Sequence, residues 1–254
     1  ATPHLGASTD EAQEKAGIAV AKSVRLALAG ELVPDAVNVK GGAIAEAVKP
    51  GIALAENLGR VAGSLAVSPL QAVEVEVLGE IAELDVKILE LSALKGVFSV
   101  LVTDPVSYVN APVLAGERGV GVSLSTSTES DNWRNLVRVN LTLTDGQTVT
   151  VAGTVTGTRN IQKIVEVDGF EIDVPVSEHL VLLRYADRPG VVGIAGKVLG
   201  DAGVNIGGMQ VSRNEAGGEA LIALTVDSAI PAGVLEQIAA EVGATSVRAV
   251  DIDL

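Results

Sequence analysis

The spacing of apolar positions near the start of the chain is helical. Small and aliphatic residues recur about every four positions, which predicts a helix over Thr9–Ala29. Ser8 and Glu11 have the spacing of a capping box, so the Ser8 hydroxyl is expected to accept a hydrogen bond from the Glu11 N–H. Because the helix carries one apolar stripe, we expect it to pack against a neighbouring surface.

The middle of the chain contains both helical and strand-like spacings of apolar residues. Helical spacing covers Ala43–Leu65 and Leu84–Val102. Strands are predicted over residues 72–78, 120–127, 136–144, 148–156, 161–167 and 170–174. Asp145-Gly146 and Asp168-Gly169 separate the last two strand pairs, which is a strong signal for two-residue hairpins. Residues 41–177 are therefore expected to form a mixed α/β domain.

The order of the predicted strands and helices changes after residue 177. Strands are predicted over residues 179–185, 204–211, 219–226 and 246–252, and helices over residues 190–199 and 232–242. The order βαββαβ within residues 178–254 is that of a ferredoxin-like fold. The fold class predicted for the whole chain is thus α/β (α+β), with a mixed domain followed by a ferredoxin-like one.

Composition excludes several classes of function. The net charge is -14 with no basic stripe, which argues against a nucleic-acid or anionic-membrane partner. The longest charge-free stretches have 13 residues, short of the roughly 18 that a spanning helix needs. Zero cysteines and two histidines argue against a metal site. No signal peptide is seen, so a cytoplasmic protein is expected.

The segment from Tyr185 to Gly190 carries the clearest candidate chemistry. It lies where a strand leads into a helix; Asp187 could cap that helix, and Gly190 lets a ligand approach the backbone. Exposed N–H groups at the helix start favour a carboxylate, while an acidic side chain beside them would accept an ammonium group. An amino-acid zwitterion has both groups, but plain helix capping explains the same residues.

Two motifs give this region a family resemblance. Asp187-Arg-Pro-Gly-Val-Val-Gly, with Gly203-Val-Asn-Ile206 ahead of the next strand, resembles the ACT domain that ends D-3-phosphoglycerate dehydrogenases. The resemblance implies L-serine as an effector, bound between the ACT domains of two subunits. It implies contacts from Asp187, Gly190 and Asn205, with Tyr185 lining the site.

Other stretches extend the resemblance across the chain. Thr2-Pro-His-Leu-Gly-Ala-Ser8 resembles the catalytic-histidine segment of these enzymes, which implies that His4 is the general acid/base of an intact NAD-dependent enzyme acting on 3-phosphoglycerate. The predicted first helix and Val33–Asn38 resemble the segment that crosses between catalytic domains, so residues 1–40 are expected to be the tail of that region. The nucleotide-binding domain would precede Ala1, and the chain alone is expected to be inactive.

The middle domain resembles the intervening, allosteric substrate-binding domain of the long form of the enzyme. Gly153-Thr154, Lys163-Ile164 and Val167-Asp-Gly-Phe170 carry this likeness. It implies anion binding by Lys163, with Arg159 or Arg134 as helpers, whereas a solvated surface lysine is an equal alternative.

Two further functions stay open. One is a freestanding amino-acid-sensing ACT protein without catalytic activity, which the His4 segment disfavours. Another is a subunit of an iron–sulfur serine dehydratase, which the lack of cysteine disfavours. A dinucleotide site at Gly190-x-x-Gly193-x-x-Gly196 has the wrong spacing. Since a ferredoxin-like domain exposes an edge strand, at least a dimer is expected, and the resemblance implies self-association through the ACT and intervening domains.

Overall fold

A computed structural model describes residues 9–29, 31–33, 44–215 and 217–252 of the chain. His4 and Ser8 lie outside the described residues, as does most of the Val33–Asn38 segment. Ten strands and six α-helices are found within the described ranges. They form two sheets, one of six strands and one of four.

Helix α1 spans Asp10–Leu28, close to the predicted range. Its cap differs from the expected one, because the Thr9 hydroxyl accepts from the Ala12 N–H at 3.2 Å. Glu11, the expected capping-box partner, instead pairs with Lys15 one turn later. None of the side chains of α1 is buried by the described residues, so the expected packing of its apolar stripe is not seen among them.

The middle domain is a six-stranded sheet with helices packed on one face. Its strands are β1 (Leu70–Gly79), β2 (Gly121–Ser127), β3 (Asn135–Leu143), β4 (Thr148–Thr156), β5 (Ile161–Val167) and β6 (Phe170–Pro175), in the order β2-β1-β3-β4-β5-β6. The Asp168-Gly169 turn has positive φ at both residues, which is the type I′ geometry of a two-residue hairpin. The predicted β4 and β5 ranges are those observed.

Helices α2 (Lys49–Leu65), α3 (Lys87–Leu101) and α4 (Ala111–Glu117) complete this domain. A 3-10 turn, Glu80–Glu83, precedes α3, so the helical range expected from Leu84 begins three residues later. Helix α4 was not predicted from the sequence, because it has only seven residues of weak periodicity and contains Pro112. Helices α2 and α3 cross closely, because a Cβ on Gly96 would stand 1.9 Å from the Glu56 carbonyl oxygen.

The C-terminal domain has the predicted βαββαβ order. Its elements are β7 (His179–Ala186), α5 (Val191–Asp201), β8 (Ile206–Arg213), β9 (Glu219–Val226), α6 (Val234–Val242) and β10 (Ser246–Asp251). The strand order β10-β7-β9-β8 with antiparallel pairing is that of a ferredoxin-like sheet. Strand β8 lies at one edge of it.

The two domains share one apolar core. Side chains on one face of the C-terminal sheet, including Leu180, Leu182 and Leu221, belong to the same buried cluster as the core of the middle domain. Strand β6 lies against β8 and β9, and the Asp173 N–H donates to the Gln210 side chain at 2.7 Å. The other face of the sheet packs on α5 and α6.

Candidate functional site

Asp187 follows the last residue of β7. Its backbone N–H donates to the Gly218 carbonyl at 2.8 Å, which ties the β7–α5 loop to the β8–β9 loop. Its carboxylate, 18% exposed, has only long contacts, at 3.4 Å from both the Arg213 guanidinium and the Gly217 N–H. Hydrogen bonds of this type are normally 2.7–3.2 Å, so this carboxylate retains capacity for a shorter bond.

The start of α5 lies three residues further on. Gly190 is the N-cap residue, with φ of +92°, and no side chain accepts from the first turn of the helix. The expected capping of α5 by Asp187 is therefore wrong. Since the first N–H groups of a helix need an acceptor, the uncapped first turn of α5 offers donors to a carboxylate.

Arg188 has a structural role that the sequence did not indicate. Its guanidinium donates to the Val242 carbonyl at 2.7 Å, at the last residue of α6. A cation that binds the last carbonyls of a helix also interacts favourably with the helix dipole. The loop bearing Asp187 and Gly190 is thereby fixed to the neighbouring helix.

Tyr185 is 3% exposed and belongs to the buried cluster between the sheet and α5. Burial raises the pKa of its phenol, the Asp187 carboxylate raises it further, and Arg213 opposes this. The Tyr185 ring is therefore part of the domain core, two residues before Asp187, and is not an exposed wall of the loop.

Asn205 lies far from Asp187 within one chain. Strands β7 and β8 both pair antiparallel with β9 and so run in the same direction. The end of β7 pairs with Glu219, whereas the start of β8 pairs with Val226. Residues 219 and 226 are about 23 Å apart along a strand, so Asp187 and Asn205 lie at opposite ends of the sheet.

The Asn205 side chain is exposed and donates to the Asp227 carboxylate at 2.7 Å. A molecule as small as an amino acid cannot contact both Asn205 and Asp187 of the same chain. Arg213, at the end of β8, contacts Asp187, so the Asp187 loop lies beside the end of the edge strand. Antiparallel pairing of two β8 edges would bring Asn205 of one copy beside Asp187 of another.

Lys163, the candidate anion-binding residue, lies on β5 and is engaged by a carboxylate. Its ammonium contacts both Asp173 carboxylate oxygens, at 2.8 and 3.1 Å. Of the two suggested helpers, Arg134 pairs with Glu80 at 2.7 Å, while Arg159 lies exposed on the β4–β5 turn. An anion at Lys163 would have to compete with Asp173.

The described residues do not fit a dinucleotide. Gly190, Gly193 and Gly196 follow a strand of an antiparallel four-stranded sheet, whereas dinucleotide sites lie at the switch point of an open, mostly parallel sheet. Three or more potential metal ligands do not converge anywhere in the described ranges. Among the helices that the structure describes, none has both the length and the apolarity to cross a bilayer.

Comparison with known families divides the chain at the same place as the two sheets. Residues 47–168 match the model of the D-3-phosphoglycerate dehydrogenase intervening domain, and residues 179–243 match the ACT domain. The strand order of the C-terminal domain agrees with the second match.

Several curated proteins align with nearly the whole chain. D-3-phosphoglycerate dehydrogenase of Mycobacterium leprae is 47% identical over 251 residues, covering 99% of this chain and 48% of that protein. The proteins of the same description in Bacillus subtilis and Methanocaldococcus jannaschii are each 34% identical, over 99% and 93% of this chain and 48% and 45% of their own lengths. The chain thus spans about half the length of the curated relatives that it matches.

Proposed function

Because the chain belongs with the C-terminal parts of the D-3-phosphoglycerate dehydrogenases, whose intervening and ACT domains it carries, we propose that it is the regulatory part of such an enzyme. The whole enzyme would oxidise 3-phosphoglycerate to 3-phosphohydroxypyruvate with NAD in L-serine biosynthesis, in the cytoplasm. The proposed division is 1–40 for the catalytic tail, 41–177 for the intervening domain and 178–254 for the ACT domain.

In that enzyme His4 would act as the general acid/base toward the substrate oxygen. An imidazole suits this work, since its ordinary pKa lies near the pH at which the proton must move. NAD would bind to the part of the whole enzyme that this chain does not span, since the described residues do not fit a dinucleotide. The chain alone is therefore proposed to bind effectors and to lack dehydrogenase activity.

The observation that carries the proposed regulatory function is the Asp187 carboxylate beside the uncapped start of α5. Asp187 has only 3.4 Å contacts, so the ammonium group of L-serine would gain a shorter, charge-assisted bond there. The serine carboxylate would accept from the first N–H groups of α5, where Gly190 keeps the backbone open. Tyr185 would form the floor of the site.

The serine hydroxyl would be recognised by Asn205 of a second copy. An amide side chain both donates and accepts, which matches a hydroxyl. Two copies joined through their β8 edges by a two-fold axis would form two such sites, each with Asp187 from one chain and Asn205 from the other. We therefore propose that self-association is part of the effector site.

Calorimetric titration of the chain with L-serine tests the proposed effector. We expect saturable heat, and loss of about ten- to a hundredfold in affinity in Asp187→Ala, because a charge-assisted bond is removed. Glu215→Ala, which removes an exposed carboxylate from the neighbouring β8–β9 loop, is the matched control and should bind normally. Absence of binding at millimolar L-serine, or an equal loss in both variants, would contradict the proposal.

Mixing two defective variants tests whether the site lies between copies. Asp187→Ala and Asn205→Ala dimers should each bind L-serine poorly. After equal amounts are unfolded and refolded together, half the dimers would be mixed, and one of their two sites would keep both residues. About a quarter of the wild-type sites should then return. A site formed within one chain would show no recovery.

A freestanding amino-acid sensor is the second reading, and it predicts the same L-serine titration. The two proposals differ in what is expected when the chain is joined to a catalytic half. A regulatory part should make the dehydrogenase activity of the joined protein respond to L-serine.

Anion binding at Lys163 also stays a proposal. Replacement of Asp173 by Asn should strengthen it, since the competing carboxylate is removed.

A further inference from the structure

A cleft of about 420 Å³ separates the middle domain from the C-terminal domain at the tip of the β5–β6 hairpin. Leu143, Leu182 and Leu221 form an apolar floor. Its walls carry polar groups from both domains, namely Gln147 and Thr148 from one, and Thr245, Ser246, Arg184 and Arg248 from the other. An apolar floor with a few converging polar groups is typical of small-molecule sites.

The two arginines lie on the same face of neighbouring strands. Arg184 on β7 is paired with Ser246 on β10, and Arg248 is two residues further along β10. Diagonal neighbours of this kind have backbones about 7–8 Å apart, within reach of two long side chains. Both guanidinium groups can therefore approach one ligand.

The carboxylates that line the cleft are engaged by Arg184. Its guanidinium contacts Asp168 at 3.3 Å and Glu219 at 3.0 Å, and it lies over the Phe170 ring. The Arg184 Nε–H is buried and has no acceptor among the described residues. The Nη groups of Arg184 are therefore the part of its guanidinium that faces the cleft carboxylates.

Arg248 is the second cation of the cleft, whose lining carries two arginines and two carboxylates, Asp168 and Glu219. It is half-buried, donates only to the adjacent Val247 carbonyl at 3.0 Å, and forms no ion pair with any residue that the structure describes. Of the two arginines that line the cleft, Arg248 is the one that no carboxylate contacts among the described residues. Beside an apolar floor, its field is less screened than it would be in open water.

We propose that this cleft binds a small oxyanion, the phosphate or carboxylate group of a small molecule, through Arg248 and Arg184. A guanidinium presents two parallel donors to such a group, and the hydroxyls of Thr148, Thr245 and Ser246 supply further donors. The site differs from the one proposed at Lys163, which lies five residues back along the hairpin, about 16 Å from Asp168. It shares no residue with the proposed L-serine site either.

Titration of the full chain with inorganic phosphate, and separately with acetate, tests the site by calorimetry in low-chloride buffer. We expect saturable binding that weakens about tenfold in Arg248→Gln and less in Arg248→Lys, which keeps the charge without the paired donors. Arg25→Gln removes an equal charge from the exposed helix α1 and should leave the affinity unchanged. Phosphate binding with no response to acetate would assign the site to phosphate groups, and the reverse would assign it to carboxylates.

Three results would overturn the proposal. One is no saturable binding of either anion, and another is equal weakening in Arg248→Gln and Arg25→Gln, which would indicate an adventitious ion only. The third is loss of binding in Lys163→Gln with none in Arg248→Gln. Should Arg248→Gln fail to fold, Arg248→Lys carries the comparison. Asp187→Ala should still bind the anion, so this test and the L-serine test fail separately.

Discussion

Gly190 has a backbone conformation that side chains rarely adopt, with φ of +92° and no neighbouring atom that a Cβ would meet. Gly190→Ala should therefore lower the free energy of unfolding by about 1–2 kcal/mol through backbone strain alone. Gly193→Ala, three residues later inside α5, meets open space and should raise it by about 0.5–1 kcal/mol. Urea unfolding of both variants measures the difference, and equal effects would contradict the strain argument.

Two aspartates at hairpin turns differ in how the fold affects them. Burial raises the pKa of Asp168, while the bond from the Thr150 N–H and the charge of Arg184 oppose this. The backbone bond from Gln147 lowers the pKa of the exposed Asp145. A raised pKa adds stability below the ordinary value of 3.8 that is lost as the pH rises through the folded value. A lowered pKa adds stability above 3.8 that is lost as the pH falls.

Asparagine at either position removes the titration, and Asn-Gly is itself a favoured hairpin turn. Relative to wild type, Asp168→Asn should gain stability as the pH rises from 3 to 7. Asp145→Asn should lose stability over the same interval. Unfolding free energies at the two pH values check both signs. If both variants changed in the same direction, the burial of Asp168 would not govern its titration.

At the scale of elements, α2 and α3 depend on glycine for their close approach. A Cβ on Gly96 would stand 1.9 Å from the Glu56 carbonyl, and one on Gly59 would stand 2.2 Å from the Ala93 carbonyl. Gly96→Ala should cost about 1–3 kcal/mol or more, because backbone has to move. Gly116→Ala on α4 meets nothing within 4 Å and is the control. Thermal unfolding measures both, and a Gly96→Ala midpoint equal to that of the control would contradict the packing.

Elements were predictable where local signals agreed. Alternation gave the bounds of β4 and β5, and Asp168-Gly169 forms the predicted two-residue turn, because hairpin pairing is local in sequence. The connection at Asp145-Gly146 is longer than predicted, with four residues between β3 and β4. The α5 cap was wrong because the helix begins at Val191 with Gly190 as its N-cap, three residues beyond Asp187. The Asp187 N–H instead donates to the distant Gly218 carbonyl, which no local pattern records. The separation of Asp187 from Asn205 and the meeting of Arg184 with Asp168 depend on sheet order and domain packing. Such contacts have no signature in the spacing of residues.

At the scale of the whole molecule, neighbouring residues of β7 serve different interfaces. Leu182 belongs to the core shared with the middle domain, whereas Leu183 faces the helices of the C-terminal domain. Because one apolar core spans both domains, wild type should unfold in a single cooperative transition. Trp133 is the only tryptophan and lies in the middle domain, so its fluorescence reports that domain, while circular dichroism reports both.

Truncation of Leu182 should uncouple the domains. Leu182→Ala and Leu183→Ala should each cost about 2–5 kcal/mol, since both remove a buried side chain. Only Leu182→Ala weakens the shared core, so its fluorescence and dichroism transitions should separate. In Leu183→Ala the contact between the domains is kept, and a destabilised C-terminal domain should still unfold together with its neighbour. Coincident transitions in Leu182→Ala, with separation in Leu183→Ala, would mean that the domains are joined by their loops rather than by the face of the sheet.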